Sequence, residues 1–315
     1  MDSLSNWIVI EAEQMGFDAC GIANATLLEE ESTHVEQWLD EGREGEMGYL
    51  TRNKEKRYDP RLLAEGTRSI VTVLYNYFPQ QQIGDGERYK IAKYTYGTDY
   101  HDVLKRKLRQ LLERIEIQTD KLEGVRIFVD SAPVLDRAWA VRCGLGFIGK
   151  NTTLIHPKRG SFFFIGHLFL PIDLEETGHP LTNRCGRCTK CLDACPTGAL
   201  EAPFRIDARK CISYLTIEYK GDFAEMNPET FKGWMYGCDI CQDVCPYNRF
   251  ALPNIEPEFQ PSEQLLAMQE NDWKHLSKAD FDTLFKHSAV QRAGYEGLKR
   301  NINFISGENK DCKLK

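Results

Sequence analysis

No run of apolar residues in this 315-residue chain reaches the roughly 18–20 needed to cross a bilayer. A membrane-spanning helix is therefore not expected. The first residues, Met1-Asp2-Ser3-Leu4, lack the basic segment that opens a secretory signal, so a cytoplasmic protein is expected. Positive charge is almost missing from residues 1–50, which hold one basic residue, Arg43, against twelve acids. Glycine-rich phosphate loops are missing too. No G-x-G-x-x-G follows a strand-like run, and Gly144-Leu-Gly-Phe-Ile-Gly149 has its glycines at the wrong spacing. Neither a dinucleotide fingerprint nor a P-loop is supported. A composition of 42% hydrophobic and 28% charged residues excludes wholesale disorder and leaves an ordinary globular chain.

The net charge of −7 at first argues against a nucleic-acid partner. It is unevenly spread. Residues 1–50 carry −11, residues 51–160 carry +8 (21 basic, 13 acidic), and residues 161–315 carry −4. The total hides an acidic head and a basic middle. Helical periodicity marks Leu4 to Met15, and Ser32 to Leu39 reads as a second helix capped by Ser32 or Thr33. Arg68 to Phe78, Val125 to Val129 and Ser161 to Leu170 are rich in β-branched and aromatic residues and read as strands. Residues 79–88 form a polar loop. Tyr100 to Ile117 reads as a long amphipathic helix, and Val134 to Cys143 as a shorter one. The expected fold class is α+β: an N-terminal α/β domain over residues 1–180, a ferredoxin-like domain over 181–252, and C-terminal helices over 253–315. The last helices are expected at Ala279 to Phe285 and Ala289 to Phe304.

Cysteine is scarce outside residues 182–250, which hold eight of the eleven. Residues 185–196 read C-G-R-C-T-K-C-L-D-A-C-P, the C-x₂-C-x₂-C-x₃-C-P run of bacterial ferredoxins, whose fourth cysteine serves the other cluster. Residues 238–246 read C-D-I-C-Q-D-V-C-P, which lacks a first cysteine that Cys211 can supply. Two 4Fe–4S clusters follow, one on Cys185, Cys188, Cys191 and Cys245, the other on Cys195, Cys211, Cys238 and Cys241. The alternative is a pair of Cys₄ zinc sites, which seldom use this triple spacing with a Cys-Pro fourth ligand. Cys20, Cys143 and Cys312 match no ligand pattern, and Cys20 and Cys143 read as small buried residues. Two clusters behind some 180 residues of other structure suggest a relay feeding a second redox centre.

A search for that centre finds one near miss. Asp99-Tyr-His-Asp-Val-Leu104 approaches the D-x-H-x-x-G signature of histidine-ligated cobalamin proteins but lacks its glycine. Asp99 is better read as a helix cap and His101 as an ordinary helix residue. Asp130 is placed more suggestively. It ends an apolar strand, and ligands gather at the carboxyl ends of strands in α/β sheets. Apolar surroundings there would raise its pKa and suit it to donate a proton, while a capping role is equally compatible.

The segment VDSAPVLDRAWAVRCGLGFIGKN (129–151), the CGRCTKCLDACPTGAL run (185–200) and YGCDICQDVCPYN (236–248) together resemble the epoxyqueuosine reductases, tRNA-modifying enzymes related to the reductive dehalogenases. The likeness runs from Phe17-Asp-Ala-Cys-Gly21 to the helix around Ala289–Asn303. Longer members continue into a C-terminal helical-repeat domain that this chain, ending at Lys315, is expected to lack. The resemblance implies cobalamin with its lower base detached and no histidine ligand, seated between the nearer cluster and the substrate. It implies Asp130 as general acid. Pocket positions carried over are Arg57, Lys93, Tyr96, Arg137, Lys150 and Asn151, with Ser213, Asp239 and Ile240 facing the corrin.

The implied reaction turns the epoxide of epoxyqueuosine at the tRNA wobble position into the alkene of queuosine, with electrons drawn from a flavodoxin or ferredoxin. A monomer is expected. Arg52, Lys54, Lys56, Lys105, Arg106, Lys107 and Arg109 are candidates for holding anticodon-loop phosphates. Rival readings are a dehalogenase-like reductase of a small molecule, weakened by the lack of a twin-arginine export signal, and a non-catalytic electron carrier.

Overall fold

The computed structural model describes residues 3–83 and 88–307. Part of the expected polar loop (84–87) and Cys312 lie outside the described residues. Among the described residues ten short strands follow in chain order: β1 (Ala19–Asn24), β2 (Ser69–Asn76), β3 (Lys90–Ile91), β4 (Arg126–Phe128), β5 (Phe147–Ile148), β6 (Leu154–Ile155), β7 (Phe163–Leu170), β8 (Leu200–Ala202), β9 (Arg205–Ile206) and β10 (Trp234–Tyr236).

Four of them form the main sheet, in the order β1-β2-β7-β4 with every pairing antiparallel. β2 is buried along nearly its whole length because both faces of the sheet are covered. Its side chains alternate between two cores. Val71 and Val73 pack with Ile8 and Ala12 of the helix Leu4–Gln14 and with Leu104 and Leu108 of the helix Tyr100–Thr119. Ile70 and Leu74 pack on the other side against Trp139 and Ala140 of the helix Asp136–Arg142. Gly166 on β7 makes room for the long helix: a Cβ there would stand 2.8 Å from Leu108 Cδ1.

A separate core unites Tyr89, Ile91 and Tyr96 with Ile212, Met235 and Tyr236 and with Leu298 and Ile302 of the helix Gly294–Ser306. β3 pairs parallel with β10, and Ala92 N donates to Tyr236 O at 2.8 Å. The segment just before the long helix is thereby tied to the chain that precedes Cys238.

Several expectations change. The acidic head contains β1, whose small residues Ala-Cys-Gly-Ile-Ala gave no period; Gly21 packs so near the Cys143 carbonyl that a Cβ would lie 2.3 Å from it. The second helix runs Glu29–Asp40 with Leu28 at its N-cap position, so Ser32 and Thr33 lie inside it and their hydroxyls donate to Glu29 O. Glu29, Glu30 and Glu31 fill its first turn, where the helix dipole favours acids. The stretch Ala289 to Phe304 is a 3₁₀ turn, Ala289–Arg292, and then the helix Gly294–Ser306, parted at Gly294 with φ +71°. Asp130 follows an edge strand of an antiparallel sheet, so the parallel-sheet rule gives it no special standing.

Gly97 precedes the long helix and lies against the loop 256–259. A Cβ there would stand 2.1 Å from Glu258 O and 2.6 Å from Phe259 Cα, both backbone atoms that cannot swing away. Gly97→Ala is expected to destabilise the protein by about 1–3 kcal/mol, the usual cost of overpacking. Thermal or urea unfolding checks this, and an unchanged midpoint would contradict it.

Candidate active site

Short loops carry the eight cysteines, and helix starts aim several of them. Cys211 is the N-cap position of the helix Ile212–Ile217, and Cys245 precedes the 3₁₀ turn Pro246–Phe250. The structure gathers the sulfurs into two sets. Cys185, Cys188, Cys191 and Cys245 border one cavity of about 270 Å³, lined also by Lys150, Tyr247 and Arg249. Cys238 lies within electrostatic reach of Cys211 and Cys241, and Cys211 and Cys241 both feel Cys195. Cys241 also feels Cys191, so the two sets adjoin. Burial pushes the thiols of Cys211, Cys238 and Cys241 up. A buried thiolate is costly without a cation to offset it, and an iron–sulfur core supplies one. The first set borders a space instead of converging on a point, and among the described residues no three Cys, His, Asp or Glu side chains are grouped for a single ion. Two sets of four thiols, one of them bordering a space, fit two cubanes. Cys20 and Cys143 are buried; Cys143 Sγ lies 3.2 Å from Thr72 Oγ1, and burial pushes its thiol up to about 12.

Asp130 has φ +53°, a left-handed backbone that costs a non-glycine residue free energy and is often found at functional sites. Its side chain lies in a cleft yet keeps 62% of its exposure. Tyr100 Oη donates to Asp130 Oδ2 at 2.5 Å, and His101 Nε2 stands 3.6 Å from the same oxygen. Asp99 caps the long helix by accepting from His101 N and also bonds His101 Nδ1 at 2.6 Å. Tyr100 is stacked on Phe164 at 4.2 Å. Burial disfavours charge on His101, but its two carboxylate partners outweigh that and raise its pKa to about 9. Burial likewise works to raise Asp130, and the bonds from His101 and Tyr100 override it, so the carboxyl sits below the usual range. This corrects the expectation of a raised Asp130: at neutral pH the proton rests on His101. Sequence reasoning set His101 aside as an ordinary helix residue and did not single out Tyr100. The Asp99 cap held the signal, because a helix starting there turns both side chains toward the end of β4.

The other expected site residues divide. Arg57 is buried and its Nε has no hydrogen-bond partner, an atom left for a ligand. Arg137 Nη1 donates to the carbonyl of Thr152, another left-handed residue, and its charge is felt at Asp130. A buried chain of bonds holds its helix in place: Thr72 Oγ1 to His167 Nδ1 at 3.0 Å, then His167 Nε2 to Asp136 Oδ1 at 3.1 Å. Lys93 and Asp239 form a buried ion pair at 3.4 Å, and Lys93 Nζ also reaches Asp243 at 2.6 Å. Asn151 Nδ2 donates to Cys241 O, placing it at the inner set. Ser213 and Ile240 flank Cys211 and Cys241. Lys150 is held at the other set, where its Nζ bonds Gly186 O at 2.7 Å and Cys188 O at 2.9 Å. Tyr96 packs in the C-terminal core and its hydroxyl accepts from Ile83 N. Half-buried Tyr94 packs against both the C-terminal core and the main-sheet core, with its ring 6.2 Å from that of Tyr100 and 6.4 Å from that of Tyr236.

A ferredoxin-type pair of cysteine sets in one chain with a carboxylate beside a protonated imidazole defines an iron–sulfur oxidoreductase. Residues 184–248 match the family model for a 4Fe-4S double cluster binding domain, and residues 57–131 match the model described as Epoxyqueuosine reductase QueG, DUF1730. The epoxyqueuosine reductase of Cellulophaga algicola is 48% identical over 96% of this chain and 97% of its own. A crystal structure of epoxyqueuosine reductase with an epoxyqueuosine-modified tRNA-Tyr stem loop superposes with a TM-score of 0.85 at 29% identity, over 98% of this chain and 82% of that one. The Bacillus subtilis enzyme, solved with its catalytic aspartate loop swung out of the active site, gives a TM-score of 0.83 at 28% identity, over 98% and 82% of the two chains. The chain belongs to the epoxyqueuosine reductase family.

Removing one inner-set sulfur should spare the other set. Cys211→Ala is expected to lower the iron bound after anaerobic reconstitution by about half, one cubane of two. Full iron content in that variant would remove Cys211 from the ligands.

Proposed function

We propose that this protein reduces epoxyqueuosine in the anticodon loop of tRNA to queuosine, with two 4Fe–4S clusters and cobalamin as its cofactors. The observation that carries this reading is the Tyr100–His101–Asp130 cluster, with Asp130 exposed to solvent, in a chain that also holds two ferredoxin-type cysteine sets. The reaction takes up two electrons and two protons, opens the epoxide to an alkene and releases its oxygen as water. When bound, the clusters supply electrons one at a time and cobalamin supplies a strongly reducing cobalt centre at the substrate ring.

The chain's own residues manage the protons. His101 holds a proton at neutral pH, and Asp130 stands where it can take that proton and pass it to the departing oxygen. Tyr100 keeps its proton, because burial and the neighbouring carboxylate push its pKa well up, so it steadies Asp130 as a donor. A mobile aspartate loop in the Bacillus subtilis relative supports a moving Asp130. To cobalamin we assign Arg57 with its unpartnered Nε, Arg137, Lys93, Asn151, Ser213, Asp239 and Ile240, whose donors and acceptors suit a corrin edge. Lys150 serves the outer cluster loop, and Tyr96 supports the wall behind. We keep the division into residues 1–180, 181–252 and 253–315, with the stretch around Tyr89–Tyr96 packed into the C-terminal core.

Loop phosphates need free cations near the cleft. Of the expected group, Lys54, Arg106 and Lys107 are already paired with Glu36, Glu258 and Glu256. Arg52, Lys56 and Arg109 are exposed, and Lys105 Nζ lies 3.4 Å from Ser131 Oγ, next to Asp130. We assign phosphate contacts to these four.

Asp130→Asn is expected to lower kcat by about 10²–10⁴, the usual contribution of a positioned acid, with iron and cobalamin retained. Wild-type turnover would overturn the assignment. His101 carries its proton below a pKa of about 9 and loses it above. Turnover on modified tRNA should therefore fall as pH rises through about 9, and His101→Gln should abolish that limb of the profile.

A further inference from the structure

All eight ligand cysteines are half-buried. The outer set borders the open cavity beside Pro246 and Tyr247. An electron from outside can therefore enter there.

The surface around that set is basic. Arg187 and Lys190 lie between its ligands, Arg184 immediately precedes Cys185, and Arg184 and Arg249 line the cavity. All four are exposed. Among the described residues none of these four forms an ion pair, in contrast to Arg114 with Glu11, Arg142 with Glu31 and Arg159 with Asp18. Thr189 donates to Asp193, which accounts for the nearest acid. Apolar surface adjoins the cations. The Arg249 guanidinium lies 4.5 Å from the Phe250 ring centre; Phe250 keeps 42% of its exposure and Leu252 74%. Unpaired cations around an exposed apolar residue, at the point where electrons enter, are the pattern of a transient redox interface: small in area, with charge steering the approach.

We propose that Arg184, Arg187, Lys190 and Arg249, with Phe250 and Leu252, form the docking surface for an acidic one-electron carrier protein. This rests on the assignment of the outer cluster to Cys185, Cys188, Cys191 and Cys245. Any carrier touching Arg187 or Lys190 stands within one residue of a ligand sulfur, so docking and electron transfer coincide. Transfer RNA is also anionic, but its target base must reach Asp130, which is not among the residues bordering this cavity. A carrier here and an anticodon loop there can be bound together, as a reaction needing two successive electrons requires.

The test uses the reconstituted full chain and the charge reversal Arg184→Glu/Arg187→Glu/Lys190→Glu, with Arg249→Glu as a second variant outside the ligand loops. The probes are flavodoxin and a plant-type ferredoxin, each tested oxidised for binding and reduced for electron transfer by stopped-flow bleaching of the clusters. In the wild type the bleaching rate should fall steeply with salt. In the triple variant, binding and rate should drop by about 10-fold or more, the lower end of what steering supplies, and by less in Arg249→Glu. Bleaching by dithionite and affinity for a tRNA stem loop should be unchanged in both. Iron content and the dithionite rate report the clusters independently, so a wrong cluster assignment is distinguishable from a wrong docking surface. Unchanged carrier binding in both variants, or weakened stem-loop binding with carrier binding intact, would overturn the proposal.

Discussion

Sulfur anions cannot be buried in a protein interior without positive charge among them, and eight cysteines here are gathered on that condition. The constraint reaches beyond the cluster loops. To enclose the inner set, the chain brings Cys211 from one helix start and Cys238 from the end of β10, then covers them with residues from far away. Asn151 reaches Cys241 O, Lys93 lies over Asp239, and Ala92 pairs with Tyr236. β3 exists to make that last connection and occurs nowhere in the main sheet. The parallel pairing of β3 with β10 thus ties the approach to the long helix to the inner cluster. Asp99, Tyr100 and His101 follow within ten residues of that tie, so one packing decision places both the cluster wall and the proton-holding group.

The same economy appears in the electrostatics of the cleft. Burial pulls Asp130 toward its neutral form. Beside His101 and Tyr100 it becomes the anion of a pair, and the imidazole carries the proton between Asp99 and Asp130. A reaction that must protonate a leaving oxygen needs a proton close by and a donor that can move. Splitting these between a histidine fixed on a helix and an aspartate in a strained left-handed turn provides both, since the turn is held only by its side-chain bonds and can release them.

Much of this was legible in the sequence, and what was not has particular causes. The cysteine spacing is local, so the two sets could be read directly. The Asp130 segment carried the family likeness, though the parallel-sheet argument that first drew notice to Asp130 fails on an antiparallel edge strand. β1 stayed hidden because Ala-Cys-Gly-Ile-Ala is defined by how closely Gly21 approaches Cys143, a long-range contact. The break at Gly294 hid inside a helical period that continues on both sides of it. His101 was passed over because its partner lies 29 residues away, and nothing in the spacing says that a helix start and a strand end will meet. Lys150 bonds Gly186 and Cys188 of the outer loop, contacts 36 and 38 residues away that its own motif does not announce.

The division of charge takes a different meaning once the chain is folded. The acidic head and the basic middle are each other's partners: Glu11 pairs with Arg114, Asp18 with Arg159, Glu31 with Arg142 and Glu36 with Lys54. Exposed pairs of this kind add little stability, but they remove cations from what the surface offers an anionic partner. What matters for binding is then neither the net charge nor its sum by segment. It is the set of cations left without an acid. Among these, Arg184, Arg187, Lys190 and Arg249 gather around the outer cysteines, and Lys105 lies beside Ser131, next to Asp130. An enzyme that must receive both a nucleic acid and electrons gains from separate groups of unpaired cations, because each can then favour its own partner.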